Sequence, residues 1–282
     1  MTHPLRRHLP AVAALFATAV AAVMLSPLVG STHISLARVF DRSIPFDQNV
    51  DAQIFFIARL PRALAGALVG GTLAAAGVIF QGLLRNPLAT PYTLGVSAGA
   101  SLGAMIAITF GAMLPFAGAA PASLAGAMLA VFIVYALASA HRSGLSTTVL
   151  LLAGVTLNSF FSALILFVQY LANFEDLFRA IRWLMGGLDV TSYTPIFGAL
   201  PFVLVAIVAF AWLARPMNLL SLGADAAGAR GVNVRAVQRL AFFSASLATG
   251  AAVSVGGPIG FVGIIVPHLV RLMVGSDHRL VL

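Results

Sequence analysis

Apolar stretches of near-uniform length recur along the chain, at residues 9–29, 60–84, 92–114, 121–140, 148–171, 193–214, 240–256 and 258–274. About 20 apolar residues in a helix cross the roughly 30 Å hydrocarbon core of a bilayer. The pattern therefore predicts eight spanning helices with the polar residues confined to connections. The last two stretches are short and meet at Gly256, Gly257 and Pro258, so they read either as one broken helix or as two spans joined by a tight turn. The first stretch follows Arg6 and Arg7, as a signal peptide would, but no small-residue cleavage site follows and it reads as a retained helix. Glycines and alanines crowd the second and third stretches. Gly95, Gly99 and Gly103 form a double small-xxx-small repeat, which reads as a helix contact. A phosphate loop would need a lysine, and the chain has none.

Composition strengthens this picture. Of 282 residues, 60% are hydrophobic and 9% charged, against about 25% charged in an ordinary soluble domain. A water-soluble surface cannot be made from that, so residues 1–282 read as a single transmembrane domain. Cysteine is absent, which removes disulfides, thiolate metal sites and cysteine nucleophiles. The net charge of +8 comes from 16 arginines set singly between apolar runs, not gathered with aromatics on one face as nucleic-acid binding requires.

Arginine placement orients the bundle, because cytoplasmic connections near helix ends are enriched in positive charge. With a cytoplasmic N-terminus, the connections holding Arg85, Arg142, the group Arg215, Arg230, Arg235 and Arg239, and finally Arg279 all fall inside. Asp41, Asp47, Asp51, Glu175, Asp176 and Asp189 then fall outside. Six arginines break the rule: Arg38, Arg42, Arg59, Arg62, Arg179 and Arg182. Pairing with acids such as Asp176, or with lipid headgroups, is the plain reading for all but Arg59 and Arg62. No acid lies well inside a stretch, whereas proton-coupled carriers use intramembrane carboxylates. A secondary carrier is therefore disfavoured, and the energy source is expected on another chain. A membrane enzyme is disfavoured too, for want of a nucleophile or clustered His.

Three blocks carry a resemblance. Residues 59–104, beginning RLPRALAGALVGG, residues 215–234, RPMNLLSLGADAAGARGVNV, and residues 257–279, GPIGFVGIIVPHLVRLMVGSDHR, resemble in order the FecCD-like permeases of iron-siderophore, haem and cobalamin ABC importers. The resemblance implies an all-α polytopic bundle of the cobalamin-permease type in the bacterial inner membrane. It implies a second permease copy, a cytoplasmic ABC ATPase, a periplasmic substrate-binding protein and surrounding lipid as partners. No cofactor, metal or nucleic acid is implied, and ATP hydrolysis belongs to the partner. An iron chelate is the expected cargo, with haem or cobalamin as the alternative.

Residue roles follow from the matching blocks. Arg59 and Arg62, three apart on one helix face, resemble sockets for acidic side chains of the binding protein; the plain reading is interfacial snorkelling. Ala224, Asp225, Ala226, Ala227, Ala229 and Arg230 resemble the coupling helix that meets the ATPase, with Gly231 as its stop. Asn158, Ser159, Ser162 and Gln169 lie in the fifth stretch, which lines the pathway in the family; hydrogen bonding to a neighbouring helix is the plain reading. Gln81, Arg85, Asn86 and Pro87 close the second stretch and serve gating or packing. His268 is a poor haem-ligand candidate, because its Pro-His pair belongs to the family block whatever the cargo. His33 faces outward as a solvated loop residue, and His3, His8, His141 and His278 suggest no site. Family members have about ten spans, so the eight here read as a C-terminally truncated permease.

Overall fold

The computed structural model describes residues 4–111, 118–139 and 147–282, and among these every regular element is helical. Besides single helical turns at Ser26–Leu28, Leu36–Val39 and Pro91–Leu94, the helices in chain order are α1 (Pro4–Leu25), α2 (Val50–Leu84), α3 (Val96–Phe110), α4 (Ala119–Ser139), α5 (Thr147–Leu171), α6 (Phe174–Leu184), α7 (Thr194–Leu220), α8 (Ala224–Ala229), α9 (Val234–Gly256), α10 (Val262–Val274) and α11 (His278–Val281). Six are long and apolar enough to cross a membrane, and α3 and α10 are shorter apolar helices. His3, His141 and Arg142 lie outside the described residues.

The eight apolar stretches correspond to eight helices, with three differences. First, α2 begins at Val50, ten residues before the apolar stretch. Its turn over Ile54–Arg59 is a π-helix in which the Leu60 amide donates to the Phe55 carbonyl. Pro61 follows at once; it has no amide hydrogen and its ring displaces the carbonyl four residues back, which a widened turn accommodates. Second, the last two stretches are separate helices. Gly257 and Phe261 both take positive φ, 67° and 66°, and reverse the chain so that α10 returns along α2. Third, α6 is an additional amphipathic helix at one end of the bundle. Its acid-bearing first turn is capped by Asn173, whose side chain accepts from the Asp176 amide.

Close backbone approach holds the bundle, as it must where lipid supplies no hydrophobic drive between helices. A Cβ on Gly99 would lie 2.6 Å from the Gly126 carbonyl oxygen, and one on Gly103 would strike the Ala122 carbonyl. Gly99 and Gly103 of the repeat thus form the α3–α4 contact, whereas Gly95 faces Gly154 on α5. A Cβ on Gly77 would come within 2.7 Å of the Gly263 Cα, so α2 and α10 cross backbone to backbone. The core centres on α2, α3 and α9, with Phe80, Phe242, Leu73, Ile79 and Met105 fully enclosed, whereas α1 lies at the periphery.

Candidate functional site

Because the long helices alternate in direction, the bundle has two ends with different chemistry. One end gathers the connections holding Arg38, Arg42, Arg59, Arg62, Arg179 and Arg182 together with six acids. Among the described residues, the other holds Arg85, Arg215, Arg230, Arg235, Arg239, Arg271 and Arg279 against Asp225 and Asp277 alone. Charge is balanced at the first end and strongly positive at the second.

At the balanced end, Arg59 and Arg62 behave differently although they share a face. Arg59 donates to the carbonyls of Pro27 and Leu28, at 3.2 and 3.3 Å, and to that of Thr32, so its guanidinium closes the chain that leaves α1. Arg62 is exposed and paired only with the exposed Asp189, at 2.7 Å. Such a pair is worth about 0–1 kcal/mol, so Arg62 is readily available to another carboxylate. A cavity of about 600 Å³ lies beside both arginines and is closed by Gly30, Thr32 and Leu188. Arg179 is held by Asp176 at 2.6 Å and Glu175 at 3.6 Å.

At the positive end, α7 leads through a three-residue turn into α8. The amides of Ser221, Leu222 and Gly223 all donate back into the last turn of α7, and the Ala227 amide donates to Gly223. Gly223 and Gly231 take φ of 122° and 82°, the freedom that lets a six-residue helix begin and end so sharply. The helix covers the expected segment. Ala227 is fully buried, which removes it from the expected contact surface and makes it the anchor, since a side chain with no exposed area cannot meet a partner. Asp225, Ala229, Arg230 and Gly231 are exposed, and Ala224 and Ala226 are half-buried.

Two polar clusters lie towards the same end, one at Gln81, which the sequence left between gating and packing, and one at Asn218, which it did not single out. Pro267 has no amide hydrogen, so the Gly263 carbonyl four residues back loses its helical donor. The Gln81 side-chain amide supplies one at 3.1 Å from across the α2–α10 crossing, and its oxygen accepts from Arg271. Gln81 therefore packs and satisfies, a role legible in the proline once the crossing is known. The second cluster is centred on Asn218 in the last turn of α7. Its oxygen accepts from the His278 amide at 2.9 Å and faces His278 Nδ1 at 2.7 Å, while its NH₂ donates to Asp277 at 2.6 Å. Burial, followed by the nearby Arg271 charge, lowers the His278 pKa to about 4, so the ring is neutral at pH 7. Bonds from Arg279 hold Asp277 well below the ordinary carboxylate range. The sequence reading passed over His278 as a tail residue.

On α5, Asn158, Ser159 and Ser162 face away from the core, opposite the buried Leu150, Leu157, Phe161 and Val168; Gln169 is half-buried. Ser159 and Ser162 bond back to their own helix, while the Asn158 amide has no partner among the described residues. His268 is exposed on α10, and no group of three metal-binding side chains occurs among the described residues.

The chain as a whole is similar to known membrane proteins. The cobalamin import system permease protein BtuC of Halobacterium salinarum is 43% identical over 79% of this chain and 60% of its own length. The ferric enterobactin transport system permease protein FepD of Escherichia coli is 38% identical over 95% of this chain and 80% of its own. A metal-chelate type ABC transporter solved in an inward-facing conformation superposes with a TM-score of 0.84 at 30% identity, covering 96% of this chain and 84% of that one. The profile of the FecCD transport family matches residues 18–282. The chain belongs to the FecCD transport family, as the membrane-spanning permease subunit of an ABC importer.

Proposed function

We propose that the chain is a permease half that pairs with a second copy in the inner membrane, N-terminus cytoplasmic. It receives an iron chelate from a periplasmic binding protein and opens alternately as ATPase subunits seated on α8 hydrolyse ATP. The observation that carries this reading is α8 itself. It is exposed, hydrogen-bonded to the last turn of a spanning helix, and sits at the end where arginines outnumber acids, which is the cytoplasmic end by the positive-inside rule. The balanced end is then periplasmic and presents Arg62, with Arg59 bracing the same face from behind. Asn158 supports α5 as the wall facing the pathway or the second copy, because an amide left in lipid is costly.

Co-expression with the ATPase of the same transport system tests the reading. Wild type is expected to copurify with the ATPase, and Asp225→Arg with Arg230→Glu to lose at least about tenfold of it. Failure of the unaltered chain to retain any ATPase overturns the proposal. Cargo is read from the ligand that the binding protein retains on purification. Cobalamin is the second reading, favoured by the similarity to a cobalamin permease.

A further inference from the structure

Three routes lead from α8 into the bundle: on through residues 230–233 into α9, where the Val232 amide donates to Ala227; through Met217, whose Cε would lie 2.6 Å from a Cβ on Gly82 of α2; and through the last turn of α7 to α10. The last turn of α7 and α8 are one hydrogen-bonded unit across residues 217–227. Pro216 lies just before this unit and cannot donate to the Trp212 carbonyl, so the unit is joined to the body of α7 across a missing rung. A missing rung is where helices bend. Beyond it, the three side-chain hydrogen bonds that tie α7 to residues 277 and 278 all use Asn218. Residues 277 and 278 start α11, directly after α10. His278 in turn is buried against α2: a Cβ on Gly82 would lie 2.8 Å from His278 Nε2. α10 is bound to α2 a second time through Arg271, Gln81 and Gly263.

We infer that Asn218 is the joint through which displacement of α8 reaches α10, with Pro216 as the hinge that lets the α8 unit move without the body of α7. The inference rests on the reading of α8 as the ATPase contact. Asn218 suits the task because its amide both accepts and donates: it grips the backbone and ring of His278 with one atom and Asp277 with the other. A serine or alanine there would preserve the helix and release the grip. Asn218 is a positioning residue, as it touches no cargo.

The lack of cysteine allows a direct test. Single cysteines replace Leu222 beside α8 and Leu272 on α10, both exposed, and carry an environment-sensitive fluorophore in the assembled importer in nanodiscs. With the joint intact, ATP with vanadate shifts both signals. Asn218→Ala is expected to leave ATPase copurification and the 222 signal unchanged and to cut the 272 response at least about fivefold. Asn218→Asp with Asp277→Asn exchanges amide and carboxylate and is expected to restore it, whereas Asn218→Asp alone, of the same size but with two carboxylates facing, is not; a merely space-filling role would treat the two alike. An unchanged 272 response in Asn218→Ala, or no recovery in the exchanged pair, overturns the inference. If Asn218→Ala does not assemble, the exchanged pair is measured against Asn218→Asp alone, which sets two carboxylates together; equal 272 responses in these two overturn it as well. If the 222 signal of the unaltered joint ignores ATP although the ATPase is bound, the reading of α8 fails and this inference fails with it.

Discussion

Replacing Gly77 by alanine puts one methyl group into a helix crossing where two backbones meet. The added carbon would stand 2.7 Å from the Gly263 Cα and nearer still to its carbonyl oxygen, where carbon contacts settle at about 3.5–4.0 Å. Both neighbours are backbone, so the helices must part by roughly 1 Å; no side chain can swing away. Overpacking of this kind costs about 1–3 kcal/mol. Parting α2 from α10 also stretches the bond from Gln81 to the Gly263 carbonyl, at about 0.6 kcal/mol for an interhelical bond in a membrane protein. With about 2–4 °C lost per kcal/mol in a chain of this size, the apparent melting temperature in detergent should fall by roughly 5–10 °C. Gly70→Ala is the control, since nothing lies within 4 Å of a Cβ there, and it should leave the melting temperature unchanged or slightly raised through helix propensity. Size-exclusion profiles after graded heating measure both. Equal shifts in the two variants would refute the backbone crossing as the source of stability.

Other outcomes follow from the polar clusters. Gln81→Met should cost about 1 kcal/mol in the native chain but clearly less in a Pro267→Ala background, where the Gly263 carbonyl regains a backbone donor; a double-mutant cycle of thermal stability measures the coupling. His278 has a folded pKa near 4, below the 6.5 of an unperturbed ring. The unfolded chain therefore binds the extra proton between these values, so stability is full above about pH 6.5 and falls as pH drops towards 4. His278→Gln should flatten that slope in melting curves from pH 7 to 5, and an identical slope would count against the burial of the ring. Arg62→Glu should abolish stimulation of the ATPase by the binding protein while moving the melting temperature by less than about 2 °C. Arg59→Ala should instead lower the melting temperature by several degrees, because three carbonyls lose their donor.

The spans were legible because membrane helices are written in long apolar runs, and even the glycine repeat at 95, 99 and 103 gave its partner type if not its partner. α8 was legible through the resemblance of its block and through Gly231 as its stop. What escaped was decided by contacts distant in sequence. Arg59 looks like a free interfacial cation until the chain after α1 folds under it. His278 looks like a tail residue until Asn218, 60 positions earlier, closes on it. Gln81 was ambiguous because its role depends on a carbonyl orphaned by a proline 186 residues away. The helical start at Val50 was hidden by polar Asp51 and Gln53, which face the loop before α2 and bond it: Asp51 accepts from Ser35, and Gln53 donates to Phe46 and Asp47.

The π turn at Ile54–Arg59 holds one residue more than an α-helix of the same rise would. Each residue of an α-helix turns the axis by about 100°, and the widened turn absorbs the extra residue so that the segments on either side keep their facing. Shortening the chain by one residue here would relax the turn to plain α-helix and leave both the Gly77 crossing and the bond of Asp51 to the Ser35 amide in register. The same loss beyond Pro61 would carry the mismatch into the membrane itself. The widened turn thus separates two tolerances for length change within one helix: an adjustable outer collar and a fixed inner shaft.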